Sequence, residues 1–351
     1  MEKPTEYMGV KEIARRANVS IATVDRVIHN RTGVSKKTRT KIMAIIEELN
    51  YQPNILASRL ASRKTLHLAI LIPQSQETDF WAAPLKGIQR AESEIKQYGV
   101  QISPYHFDLS DKHSFAEQGK RILAAGVDGV LLAPSFLEEA TQFSQDCQKN
   151  NIPFVYIDST LPHQANLCYI GPPLYQSGYL GARLLTFGLA RPGKVGVVNI
   201  SKEVANYNYL PIEEGFRAFF REHQPEKEIL RVDIGQTDYA SVAAGLAVVL
   251  ATHPDLAALF VTNSRVSTVA TFLEATNRQH LLLIGYDFLP ENVAHLRQGT
   301  IDFLICHQPE EQGYRGIMAL YQSLVFSASI DKVHFMPIDI ITEENHEFYR
   351  N

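Results

Sequence analysis

The stretch Val10-Lys11-Glu12-Ile13-Ala14-Arg15-Arg16-Ala17-Asn18-Val19-Ser20-Ile21-Ala22-Thr23-Val24-Asp25-Arg26-Val27-Ile28 decides how the chain is read. Val10, Ile13, Ala14 and Ala17 fall at i, i+3, i+4 and i+7, one apolar helical stripe. Asn18-Val19 then turns the chain, and Ser20 is a good N-cap for a second helix. In that helix Val24, Val27 and Ile28 make an inner face, while Ala22, Asp25, Arg26 and His29 point the other way at 100° per residue. Gly33-Val34-Ser35 stops the chain and caps a third helix, whose inner face is Ile42, Ile45, Ile46 and Leu49. Two short helices around a tight turn, the second with a polar outer face, spell a helix-turn-helix.

Charge supports this reading. Residues 1–65 carry 13 Lys+Arg against 6 Asp+Glu, and the remainder 21 against 32. A basic head on an acidic body fits a phosphate-binding module joined to a soluble domain. A small bundle with a solvated basic face is the plainer alternative, and caps, spacing and charge asymmetry together weigh against it.

The runs Val10–Ala14, Val19–Ile28 and Val34–Arg39 closely resemble the head of the lactose-repressor (LacI/GalR) family of bacterial regulators. Leu49-Asn50-Tyr51-Gln52-Pro53-Asn54 and Leu56-Ala57-Ser58-Arg59-Leu60-Ala61 continue the match without a gap. The resemblance implies a homodimer on a pseudo-palindromic double-stranded operator. It places Ile21, Ala22 and Arg26 at base edges, with Arg26 suited to a bidentate contact with guanine. Ser20, Thr23, His29, Asn30, Ser35, Thr38, Arg39, Tyr51 and Asn54 complete the expected contacts in the head, several of them to phosphates. Most relatives carry Ser where this chain has Asp25, which is expected either to accept from cytosine or to orient Arg26. From Asn54 to Ala61 runs a helix of about two turns, too short to be stable alone in water. The resemblance implies that it folds when two copies meet over the minor groove. There Ala57 and Ser58 touch DNA and Leu60 wedges a base step.

The body alternates strand and helix. Leu66–Pro73 is a near-continuous apolar run, expected as a strand buried on both faces. Strands at Val100–Phe107, Val130–Ala133 and Pro153–Ile157 follow, with helices between them. After Gly171-Pro172-Pro173 the pattern restarts, with strands at Lys194–Ile200, Ile229–Ile234, Leu256–Val261, Leu281–Gly285 and Ile301–Ile305. A helix over Gln312–Phe326 and a last strand over Phe335–Ile341 end the chain. The expected architecture is an all-α helix-turn-helix head plus an α/β bilobed core of two parallel-sheet subdomains, like periplasmic sugar-binding proteins. Its divisions are residues 1–53 for the head, 54–65 for hinge helix and linker, and 66–351 for the core. Within the core, one subdomain takes about 66–170 and 307–328, the other about 171–306 and 329–345.

Ligands in such folds sit beyond the carboxyl ends of the strands, between the lobes. The strand-to-helix loops there offer carboxylates and amides for sugar hydroxyls and flat aromatics for a ring's C–H face. The resemblance puts Phe80, Trp81, Ser135, Asp158, Ser159, Tyr239, Asn263, Asp287 and His307 at effector positions. Two departures bear on the ligand. Ile212 stands where the family has an Arg four residues before the aromatic of Glu214-Gly215-Phe216, and Ser159 replaces an Arg that often follows the Asp. Losing two guanidinium donors puts a ribose-like effector in doubt and disfavours a phosphorylated or acidic one unless Arg265 swings in. The expectation is a small neutral sugar or polyol, with Tyr207, Asn208 and Tyr209 as substitute donors.

Other chemistry finds little support. Gly188–Val195 imitates a P-loop, but Val195 replaces the metal-binding hydroxyl and the segment leads into a strand. There is no GxGxxG, HExxH or GxSxG, so neither cofactor nor metal nor catalysis is expected. A sugar-processing enzyme with a DNA-binding head would need such a site. A regulator answering to a protein partner is the other alternative. Cys147, Cys168 and Cys306 form no CxxC pair and are expected as small buried hydrophobes in a reducing cytoplasm. No apolar run approaches the roughly 20 residues of a membrane span, and the polar Met1–Met8 does not read as a signal peptide.

Overall fold

A computed structural model describes residues 9–28, 31–49, 51, 65–75, 79–189, 192–201 and 209–351. The chain divides into two compact units, residues 1–64 and 65–351. The proposed hinge residues Asn54, Ala57, Ser58 and Leu60, together with His29 and Asn30, lie outside the described residues.

In the head, α1 (Val10–Ala17), α2 (Ile21–Ile28) and α3 (Lys36–Glu48) pack their apolar stripes together. Ile13, Val24 and Ile42, one from each helix, are fully buried at the centre. Asn18 ends α1 in the left-handed region, at φ 55°, and the Lys41 ammonium donates to the Ala17 carbonyl at 2.9 Å. The two later helices start alike. Ser20 Oγ accepts from the Thr23 amide and Ser35 Oγ from the Thr38 amide, each at 3.2 Å. Each cap satisfies one of the amides a helix N-terminus leaves open.

Among the described residues the body holds two six-stranded sheets. In the first lobe β1 (Leu66–Pro73), β2 (Val100–Phe107), β3 (Gly129–Leu132), β4 (Phe154–Ile157) and β5 (Cys168–Gly171) are joined by α4 (Ala82–Ile95), α5 (Lys112–Ala125) and α6 (Leu137–Lys149). In the second lobe α7 (Leu174–Gly188) leads into β6 (Lys194–Ile200). It continues through α8 (Tyr209–His223), β7 (Ile229–Ile234), α9 (Tyr239–Thr252), β8 (Leu256–Val261), α10 (Val266–Ala275), β9 (Leu282–Tyr286), α11 (Pro290–Arg297) and β10 (Phe303–Cys306). Then α12 (Pro309–Phe326) returns to the first lobe. With β11 (Val333–Phe335) and β12 (Asp339–Ile341) following, the sheet orders are β11-β5-β4-β3-β1-β2 and β12-β10-β9-β8-β6-β7, so β4 of one lobe occupies the place of β9 in the other.

Two expectations are corrected here. The single late strand is two strands. The short strand β11 (Val333–Phe335) pairs in parallel with β5, and β12 (Asp339–Ile341) pairs antiparallel with β10. Part of the segment 329–345 therefore lies with the first subdomain, and the last crossing between lobes comes later than expected, after Phe335. The second correction is β5, which sequence reading passed over. Its four residues are all buried, but they follow a ten-residue loop and run into Gly171-Pro172-Pro173, which reads as a boundary.

Paired glycines let helices touch backbone to backbone. A Cβ on Gly87 of α4 would sit 1.8 Å from the Glu310 carbonyl oxygen, and one on Gly313 of α12 would sit 2.1 Å from that of Pro84. Gly178 of α7 and Gly215 of α8 repeat the arrangement in the second lobe, each 1.9 Å from the facing carbonyl. All three cysteines are buried and unbridged, as expected. Among the described residues no helix is long and apolar enough to cross a membrane.

Candidate functional site

The outer face of α2 carries the predicted base-reading residues. Ile21 is half exposed, and Ala22 and Arg26 are exposed beside it, while Val24 and Val27 are buried beneath. Asp25 pairs with Arg31 at 3.2 Å, and Arg39 donates to the Arg31 carbonyl at 2.9 Å. Asp25 thus ties α2 to the turn that carries Gly33, in the left-handed region at φ 94°. Thr23 and Thr38 hydroxyls lie 2.9 Å from the cap hydroxyls of Ser20 and Ser35. Tyr51 packs on the head's core, with its amide on the Ile46 carbonyl at 2.9 Å. At the far end Glu12 accepts from both Arg15 and Arg16, and these hydrogen bonds pull its carboxyl down to about 2.

Between the lobes of the body lies a cavity of about 560 Å³. Seven of the nine predicted effector positions line it: Phe80, Trp81, Ser135, Asp158, Asn263, Asp287 and His307. Asp158 ends β4 and Asp287 ends β9, and both adopt left-handed backbone, at φ 67° and 74°. Non-glycine residues hold such angles only where surrounding structure enforces them, and they gather at binding sites.

Two buried amides do the enforcing. Gln312, reaching in from α12, accepts from the Asp158 amide at 3.0 Å and donates to the His307 carbonyl at 2.9 Å. Asn292 of α11 donates to the carbonyls of Ser264, Tyr286 and Asp287 and accepts from the Ser267 amide. Asn263 is itself pinned, donating to the Ile200 carbonyl at 2.8 Å and accepting from the Arg265 amide at 3.1 Å. Phe80 and Trp81 meet edge to face with centroids 5.1 Å apart.

Burial shapes the charges. It pushes the Asp158 carboxyl up to about 7. Burial, and then the neighbouring Asp158, push Asp287 well above its ordinary value. The same loss of water drives His307 down to about 3, so its imidazole is neutral. His307 is 6% exposed, and among the described residues its Nε2 has no hydrogen-bond partner. Tyr209 hydrogen-bonds Asn263, and burial raises its phenol.

Two predicted positions fall elsewhere. Ser159 is 2% exposed and does not line the cavity; the left-handed turn at Asp158 sends the next residue into the protein. Tyr239 opens α9 and is 45% exposed outside the cavity, because Asp238 caps that helix beyond the edge strand β7. Ile212, where the resemblance leads one to expect an Arg, lines the wall of the cavity. Sequence reading missed Gln312 and Asn292, which sit inside helices and act through backbone groups, so no loop position signals them.

The description "Periplasmic binding protein domain" matches residues 68–327, and "Bacterial regulatory proteins, lacI family" matches residues 9–54. A crystal structure of a protein described as a LacI transcriptional regulator from Bacteroides fragilis superposes with a TM-score of 0.78. The two are 30% identical over 82% of this chain and 100% of that one. The chain belongs to the lacI family of bacterial regulators. The ribose operon repressor of Halalkalibacterium halodurans is 26% identical over 80% of each chain. The transcriptional regulator RegA of Clostridium acetobutylicum is 31% identical, in a match that covers 43% of this chain and 43% of that regulator. The chain thus spans less than half the length of that relative. In this lacI-family chain the head matches the family's regulatory model, and the body carries the periplasmic-binding-protein fold.

Proposed function

We propose that the chain is a cytoplasmic, homodimeric repressor that binds a pseudo-palindromic operator and answers to a small sugar or polyol held between the lobes of its body. One observation supports this most: residues from both lobes, Asp158 after β4 and Asp287 after β9, line one cavity in a chain whose head exposes Ile21, Ala22 and Arg26. A ligand that hydrogen-bonds both carboxylates binds the closed arrangement of the lobes more tightly than the open one. It therefore shifts that equilibrium by its differential affinity. A coupling of about 1–3 kcal/mol between ligand and operator is ordinary for such linkage.

Operator selection from fragmented genomic DNA, followed by fluorescence anisotropy over a salt series, tests the head. Arg26→Ala abolishes the preference for the selected site and leaves salt-dependent nonspecific binding in place. Surviving preference would move the recognition face elsewhere. Thermal shift of the full chain against monosaccharides and polyols tests the body. Intact operator binding without stabilisation by any of them would favour a regulator that answers to a protein.

A further inference from the structure

One wall of the cleft offers a ligand hydrocarbon and little else. Pro172, Leu174, Ile212 and Tyr286 line the cavity there. Ile212 and Tyr286 belong to one buried apolar cluster, and Leu174 packs against it. The polar groups of this wall are engaged within the protein. Ser177 Oγ donates to the Leu174 carbonyl at 2.9 Å, so the Tyr286 phenol, 3.0 Å away, donates its own proton to Ser177. The Pro172 carbonyl accepts from the Tyr169 phenol at 2.7 Å. The wall is also fixed in place. A Cβ on Gly178 would sit 1.9 Å from the Ile212 carbonyl oxygen, so α7 and α8 touch backbone to backbone beside it.

A second feature marks the place as a ligand site. His307 is almost wholly buried and lines the cavity, and among the described residues its Nε2 has no partner. Buried ring nitrogens are ordinarily hydrogen-bonded, so this one is kept for a group that arrives with the ligand. The His307 ring lies 5.5 Å from that of Tyr286, so one monosaccharide reaches both the polar atom and the apolar wall. A hydroxyl pressed against this wall would leave water and find no partner, which is costly. A methyl in its place would only bury apolar surface, which is favourable.

We propose that the effector is a deoxy sugar, a monosaccharide with a methyl in place of its hydroxymethyl group. The methyl packs on Leu174, Ile212 and Tyr286 while a ring hydroxyl meets His307 Nε2. This rests on the reading of the body as a sugar sensor and narrows its ligand class. The edge-to-face pair Phe80 and Trp81, which lines the same cavity, covers C–H groups of the ring.

The test is calorimetric titration of the full chain at pH 7 with matched pairs, each a methyl sugar and its hydroxymethyl parent. These are L-fucose with L-galactose, L-rhamnose with L-mannose, D-fucose with D-galactose and D-quinovose with D-glucose. A methyl sugar that binds at least about tenfold tighter than its parent supports the proposal, since an apolar pocket rejects an added hydroxyl by up to about a hundredfold. Ile212→Ser and Leu174→Ser, each confirmed folded by circular dichroism, are expected to erase that margin, and Ile212→Val to keep it. If one serine variant does not fold, the other carries the same test.

Parents that bind as tightly as their methyl forms would overturn the deoxy sugar and leave the sugar sensor standing. A methyl preference that survives the serine substitutions would overturn the assignment of this wall. Binding by none of these sugars, nor by any monosaccharide or polyol of the wider thermal-shift set, would remove both readings together.

Discussion

Asp158 and Asp287 are each held in left-handed backbone at a strand end that half-buries a carboxyl. The fold spends stability there, and pH reveals it. Burial pushes Asp158 from the ordinary 3.8 to about 7, so between these values the folded state keeps a proton that the unfolded chain has released. For a group raised in this way, the favourable contribution is complete below about pH 4 and is lost as pH rises through about 7. Asp158→Asn should therefore stabilise the ligand-free protein by ~1–2 kcal/mol at pH 8, the side chain's partial contact with cleft water keeping the gain modest. At pH 4 the difference should vanish. Asn tolerates the left-handed angle, so the backbone adds no penalty. Thermal melts of both proteins at the two pH values measure this, and an equal gain at pH 4 would show that charge is not its source. These positions were legible in the sequence because each carboxylate directly follows a run of buried strand residues. Ser159 was misplaced by the same logic. It is one residue further on, and a left-handed turn reverses which way a side chain faces.

Among elements, the layout of strands and helices was legible wherever an apolar run was long. It failed for β5, β11 and β12, of three or four residues each, which hold their places by pairing with strands far away in sequence. Periodicity cannot register such partners. Gln312 escaped for a related reason: a glutamine inside a helix looks like solvent-facing surface, yet this one is 1% exposed and holds two strand ends from 154 and 5 residues away. Gln312→Leu keeps the bulk and removes the amide, leaving the Asp158 N–H and the His307 C=O without that partner. Each stranded buried group costs about 1–3 kcal/mol. The expected result is a lower denaturation midpoint with an unchanged m-value, together with weakened ligand binding. A midpoint loss without any loss of affinity would mean that Gln312 supports the helix alone and not the cleft.

At the scale of the whole molecule, charge distribution and two periodicities already separated a basic helical head from an acidic α/β body. The boundary between units falls after residue 64, next to the expected start of the core. Among the described residues the head's core rests on seven buried side chains, whereas the body's clusters each hold more. Burial of a Val, Leu or Ile side chain contributes about 1.5–3 kcal/mol before entropy is charged against it, so a core that small is marginal. Calorimetry of the full chain should therefore show a small transition from the head below a large one from the body. A ligand at 100 times its Kd stabilises only the unit that binds it, by about 2.7 kcal/mol. Sugar should then raise the upper transition alone, and operator DNA the lower one. If DNA and sugar instead moved a single shared transition, head and body would unfold as one cooperative block, and coupling between operator and ligand would be built into the fold itself and not carried by the segment that joins them.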